Sequence, residues 1–200
     1  MFQITESVKH LLIINVIIFL AAMTFMGDYK YYLYLFYPES PMFRPWQVIT
    51  HMFMHGNFNH LFFNMLMLFF IGPMMEHDLG MKRFITFYLG CGFGGALLHV
   101  ISKWVAIHYF GQIDEISIPV VGASGAINGL FVGLAYLYPN LPMSFLFIPI
   151  PIKAKYMAMF ALGGDLIWGL TGYHTGVAHF AHLGGALFGF LMLYYWRNRR

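Results

Sequence analysis

The chain has 200 residues, of which 60% are hydrophobic, 20% aromatic and only 10% charged, with a formal net charge of +3. A mean hydropathy of +0.66 excludes an ordinary soluble domain, the single cysteine excludes an internal disulfide, and the small basic excess forms no nucleic-acid-binding patch. What remains is an integral membrane protein that works against a lipid bilayer.

Charges, prolines and glycines divide the chain into six apolar spans at roughly 8 to 27, 57 to 75, 82 to 105, 119 to 138, 153 to 171 and 177 to 196, each close to the roughly 20 residues that cross a bilayer as a helix. They predict an all-α, six-helix transmembrane bundle over residues 1–200, with no linker long enough to separate a second domain. With the N-terminus inside, Lys9, Lys82, Arg83, Lys153, Lys155, Arg197, Arg199 and Arg200 collect on the cytoplasmic side, and Lys30, Arg44 and Lys103 fall outside. Both termini are then cytoplasmic, and the even-numbered spans start at the outer face.

The first span, "LLIINVIIFLAAMTFMGDYK", lacks a small-residue cleavage site and reads as a retained signal anchor. No transit extension precedes it, so a bacterial inner membrane is the expected location. The outer loop that follows, "DYKYYLYLFYPESPMFRPWQ", carries Tyr29, Tyr31, Tyr32, Tyr34, Phe36, Tyr37 and Trp46. That density of amphipathic rings predicts a segment lying in the outer membrane interface. His51 and His55 precede Gly56 and are expected to make structural hydrogen bonds. In "HGNFNHLFFNM", Asn57 is the expected N-cap of the second span, and His60 and Asn64, four residues apart, share one helix face. Cys91 in the third span is expected to be a small packed side chain.

The fourth span, "VVGASGAINGLFVGLAYLYP", sets Ser124 and Asn128 one turn apart among Gly122, Gly125, Gly129 and Gly133. The fifth carries Asp165, an intramembrane acid and so a functional candidate by default, although the sequence identifies no partner for it. The sixth carries His179, His182 and a small-residue stripe of Ala181, Gly185 and Gly189. Such stripes let membrane helices pack backbone to backbone. Ser124 lies about five residues into its span and His182 about five into its own, so both sit roughly 7 to 8 Å below the outer ends. Close approach of the two helices would bring a hydroxyl and an imidazole into reach, and histidine is the usual base for a serine nucleophile near neutral pH. The spacing equally allows Ser124 to bond a backbone carbonyl of its own helix. His60 and Asn64 are either donors toward an oxyanion or a pair that holds helices together. Asn128 either orients the imidazole, binds substrate or glues helices.

These residues resemble the rhomboid family of intramembrane serine proteases. "GASGAINGL" is similar to the family's GxSG around the nucleophile, with Ser124 as its serine; "AHLGGALFG" to AHxxGxxxG, with His182, Gly185 and Gly189; "HGNFNHLFFN" to HxxxN, with His60 and Asn64; and "GPMMEHDLG" to GxxxExxxG, with Gly72, Glu76 and Gly80. The resemblance implies a six-helix core with a membrane-embedded first outer loop, a Ser124–His182 catalytic dyad without an acidic third member, and an oxyanion site from the Ser124 N–H, His60 and Asn64. It implies helix packing through Gly125, Gly129, Gly185, Gly189, Gly72, Glu76 and Gly80. It further implies cleavage of transmembrane protein substrates near the outer face, without cofactor, metal or nucleic acid. The sequence sets no oligomeric state. It departs from the family at Asn128, where many members place an aromatic residue against the histidine. Two other readings are a non-catalytic relative that binds membrane clients, and a histidine-rich metal-binding transporter, for which there is no HExxH.

Overall fold

A computed structural model describes residues 3–145, 148–171 and 176–199. In chain order they form α1 (Glu6–Thr24), a long loop with 3-10 turns at Gly27–Leu33 and His51–Phe53 around the short helix α2 (Gln47–Thr50), then α3 (Phe58–Leu79) and α4 (Met81–Phe110). A 3-10 turn at Ile113–Ser117 leads to α5 (Ser124–Leu137), followed by a hairpin of β1 (Pro142–Phe145) and β2 (Ile148–Lys153), then α6 (Ala154–Thr171) and α7 (His179–Arg197). The hairpin, which hydropathy did not foreshadow, is antiparallel with Pro142 opposite Lys153 and Met143 opposite Ile152.

Among the described residues three helices, α1, α3 and α4, are long and apolar enough to cross a membrane, and α5 is apolar but shorter. The fourth span was expected to be helical from 119; the helix starts at Ser124 instead. Two contacts keep the preceding residues extended. Val120 exchanges backbone hydrogen bonds with Leu35 (3.0 and 2.9 Å), and the Gly122 N–H donates to the His51 carbonyl (2.9 Å). Ser124 therefore opens its helix, and its depth comes from a strand-like segment descending into the bundle.

The core forms where α7 packs against both α4 and α5. A Cβ at Gly185 would run into the Gly125 carbonyl oxygen, and one at Gly189 would lie 2.7 Å from that of Gly129. In return, a Cβ at Gly129 would sit 2.8 Å from the Gly185 carbonyl and against Cys91, and one at Gly125 would lie 3.3 Å from that of Ala181. Only hydrogen fits between these backbones, as small-residue stripes require. On α4, Gly95 meets the Ala181 carbonyl at 2.7 Å in the same test, so α7 is embraced from two sides.

The GxxxExxxG element divides into three jobs. Gly72 lets α1 lie close, since a Cβ there would be 2.6 Å from a Val8 methyl. Glu76 is buried and caps α1 from a distance: it accepts from the Ser7 and Val8 N–H groups at 3.2 Å each and from the Thr5 hydroxyl at 2.5 Å. The two N–H groups are orphan donors of a helix N-terminus, which favours a carboxylate. Gly80 was expected to pack helices, but nothing lies within 4 Å of its would-be Cβ, and its φ of +73° marks the tight turn between α3 and α4.

Candidate active site

α7 presents His182 from its first turn and α5 presents Ser124 from its first residue. The Ser124 Oγ and His182 Nε2 are 2.9 Å apart. The other ring nitrogen, Nδ1, lies 3.1 and 3.2 Å from the two carboxylate oxygens of Asp165 on α6. An ionised carboxylate can only accept, so the Asp165 contact favours a proton on Nδ1, and in the neutral ring Nε2 then presents a lone pair to the serine hydroxyl. That is the tautomer a general base needs. The resemblance implied no acidic member here; the structure places one in hydrogen-bond contact with the imidazole. A second histidine, His179, donates from Nδ1 to the same Oδ1 at 2.7 Å.

Because Ser124 begins α5, helix geometry gives the first N–H groups of that helix no acceptor within it. Ser124 lines a cavity of about 850 Å³ whose walls also include His60, Asn64, Asn128, His179 and His182. Asn57 caps α3 as expected, its side chain accepting from the His60 N–H at 2.8 Å. Asn64 donates one amide hydrogen to the His60 carbonyl at 2.8 Å, and its amide has a second to offer. Gly122 was read as part of a packing stripe on the fourth helix. It lies instead in the descending segment at φ +126°, where a Cβ would be 2.7 Å from His60 Nε2 and 3.7 Å from Ser124 Oγ.

Asn128 lines the cavity but does not orient the imidazole. Its Nδ2 donates to the Ser124 carbonyl at 3.0 Å, and both nitrogens of His182 have other partners. His51 has the structural part expected of it, with Nδ1 2.8 Å from the Gln47 carbonyl. His55 is buried with its ring edge-on to His60, centroids 5.1 Å apart. Among the described residues, no three His, Cys, Asp or Glu side chains converge as a metal's ligands would. Composition gave no hint of Lys103, which is buried in α4 and bonds the Glu115 carboxylate (3.0 Å) and the carbonyls of Glu115 and Ile118 (2.6 and 2.5 Å). It ties down the loop that leads to Ser124.

A family model described as "Rhomboid domain" matches residues 43–199. The chain belongs to the rhomboid family. Its relatives include Rhomboid protease AarA of Providencia stuartii, 29% identical over 157 residues, which covers 74% of this chain and 54% of that protein. They also include Rhomboid protein 1, mitochondrial, of Saccharomyces cerevisiae, 31% identical over 156 residues (74% and 40%), and RHOMBOID-like protein 12, mitochondrial, of Arabidopsis thaliana, 30% identical over 145 residues (70% and 43%). The matches span about half or less of those rhomboid proteins. Family membership and the apolar helices together make this a membrane protein. Its relatives carry both bacterial and mitochondrial names, so they do not choose between the two membranes.

Proposed function

We propose that this rhomboid is an intramembrane serine endopeptidase that cleaves transmembrane protein substrates near the outer membrane face. The observation that carries the reading is the 2.9 Å approach of Ser124 Oγ to His182 Nε2 at the wall of a cavity with polar lining. In this reading α1, α3, α4, α5, α6 and α7 are six spans with both termini on the cytoplasmic side, and the cavity opens outward.

His182 Nε2 takes the hydroxyl proton as Ser124 Oγ attacks the scissile carbonyl, and then gives that proton to the leaving amine. The oxyanion is met by the Ser124 N–H and by donors from His60 and Asn64, where fixed dipoles stabilise developing charge. Water entering the cavity repeats the cycle on the acyl-enzyme, with His182 again as base. Asn128, tied to the Ser124 carbonyl, keeps its carboxamide oxygen for substrate.

The test is labelling of the purified protein in detergent with a serine-reactive fluorophosphonate, beside Ser124→Ala and His182→Ala. Labelling of the wild type that is lost in both variants is the expected result. Equal labelling in all three, or none in a folded wild type, would sink the proposal in favour of a non-catalytic member that binds membrane clients.

A further inference from the structure

We infer that Asp165 is a positioning residue for His182, so that this rhomboid works with a Ser124–His182–Asp165 triad. The inference rests on the Ser124–His182 reading above and goes beyond it. α6 turns Leu166, Ile167 and Leu170 outward, all exposed, as a lipid-facing helix would. Within that helix a carboxylate is costly unless it faces inward and is partnered. Asp165 does both, with a side chain only 12% exposed and two imidazoles bonded to it. Its distances to His182 Nδ1, 3.1 and 3.2 Å, are near-equal, so the carboxylate straddles the ring nitrogen and limits rotation of the imidazole.

His179 supplies the complementary part. Its hydrogen bond at 2.7 Å holds Oδ1 from the same helix, one turn before His182, which anchors the carboxylate that anchors the base. The chain runs Ser124 on α5, His182 on α7 and Asp165 on α6, and each link is a side-chain hydrogen bond in a partly buried setting. Asp165 acts through His182. It fixes the Nδ1–H tautomer and steadies the imidazolium that forms when Ser124 attacks. A latch that merely held α6 to α7 would need the contact but not the charge, and this difference is measurable.

The experiment uses the full chain in detergent, a fluorophosphonate probe, and Ser124→Ala, Asp165→Asn and Asp165→Glu beside the wild type. It reads the maximal inactivation rate, the probe's apparent binding constant and the thermal midpoint. Asp165→Asn keeps the shape but removes the charge and permits the wrong tautomer. It is expected to lower the maximal rate by about 10² to 10⁴-fold, the range for losing a positioned general base, while probe binding and thermal midpoint stay near wild type. Asp165→Glu is expected to recover part of that rate.

A wild-type rate in Asp165→Asn would overturn the inference while leaving the proposed function standing. So would a rate loss that tracks a fallen thermal midpoint and is not recovered by Asp165→Glu, since that is the behaviour of a latch. A wild type without Ser124-dependent labelling would overturn the proposed function itself, and the triad with it.

Discussion

Gly122 shows how much of the site hangs on one missing side chain. At φ +126° an L side chain is strained, and a Cβ would meet His60 Nε2 at 2.7 Å. Gly122→Ala is therefore expected to displace His60 and the segment that sets the start of α5, lowering fluorophosphonate labelling at least tenfold in protein that still folds. In the proposed mechanism His60→Ala and Asn64→Ala each remove a donor to the oxyanion, and each is expected to lower the maximal rate of peptide cleavage by about 10² to 10³-fold. A reporter transmembrane substrate measures both. In the loop between α1 and α3, burial pushes the His51 imidazole down to about 4 and that of His55 to about 3. Both are neutral when folded and take up a proton when unfolded below about 6.5. Their contribution to stability is thus present above that pH and is lost as pH falls toward their folded values. Thermal midpoints in detergent are expected to decline between about pH 6.5 and 4, and less steeply in His51→Gln.

At the scale of elements, the junction of α5 with α7 depends on backbone contact rather than on filling by side chains. Gly185→Val would force the helices apart where only hydrogen fits against the Gly125 carbonyl. Overpacking of this kind costs about 1 to 3 kcal/mol, and it separates the helices that carry Ser124 and His182. The expected result is a lower thermal midpoint with loss of labelling, whereas Gly163→Ala, on α6 with nothing within 4 Å, is expected to change neither. The loop between α1 and α3 is held together by Gln47, fully buried, whose Oε1 accepts from the Phe36 and Arg44 N–H groups (3.3 and 3.1 Å) and whose Nε2 donates to the Met42 carbonyl (2.9 Å). Trp46 bonds the Tyr32 carbonyl at 2.9 Å, and Arg44 bonds the Phe43 and Pro41 carbonyls. The aromatic loop therefore has a polar internal skeleton that its composition concealed.

For the molecule as a whole, the proposed arrangement places the two sides of the membrane at the two ends of α4. Cys91 is the only cysteine and is buried, so single cysteines can report on topology. In a Cys91→Ala background, Gln112→Cys is expected to react with a membrane-impermeant maleimide added from outside, and Lys82→Cys only after permeabilisation. The reverse pattern would invert the bundle and put the cavity on the cytoplasmic side. The cavity borders α3, α4, α5, α6 and α7 through residues such as Asn64, Ser102, Asn128, Trp168 and His182, so the site belongs to the assembled bundle.

Composition and pattern alone pointed to a membrane protein, to a resemblance to the rhomboids, and to a serine and a histidine on two glycine-rich helices as candidate partners. The reason is physical: a polar group in an apolar segment is expensive, and each one stands out singly in the sequence. Asn57, one residue ahead of an apolar helix, was legible as a cap for the same local reason. Partnership was not legible, because it depends on the rotation and tilt of helices. Asp165 could have been placed by the depth argument, since six residues before Thr171 puts it about 9 Å from that end of its helix, close to the layer assigned to His182. Depth does not say which face it turns. Whether Asp165 looked at lipid, at water or at His182 was decided by packing of α6 on α7, and whether Ser124 sat within its helix or opened it was decided by Leu35 and His51, more than 70 residues away in the chain.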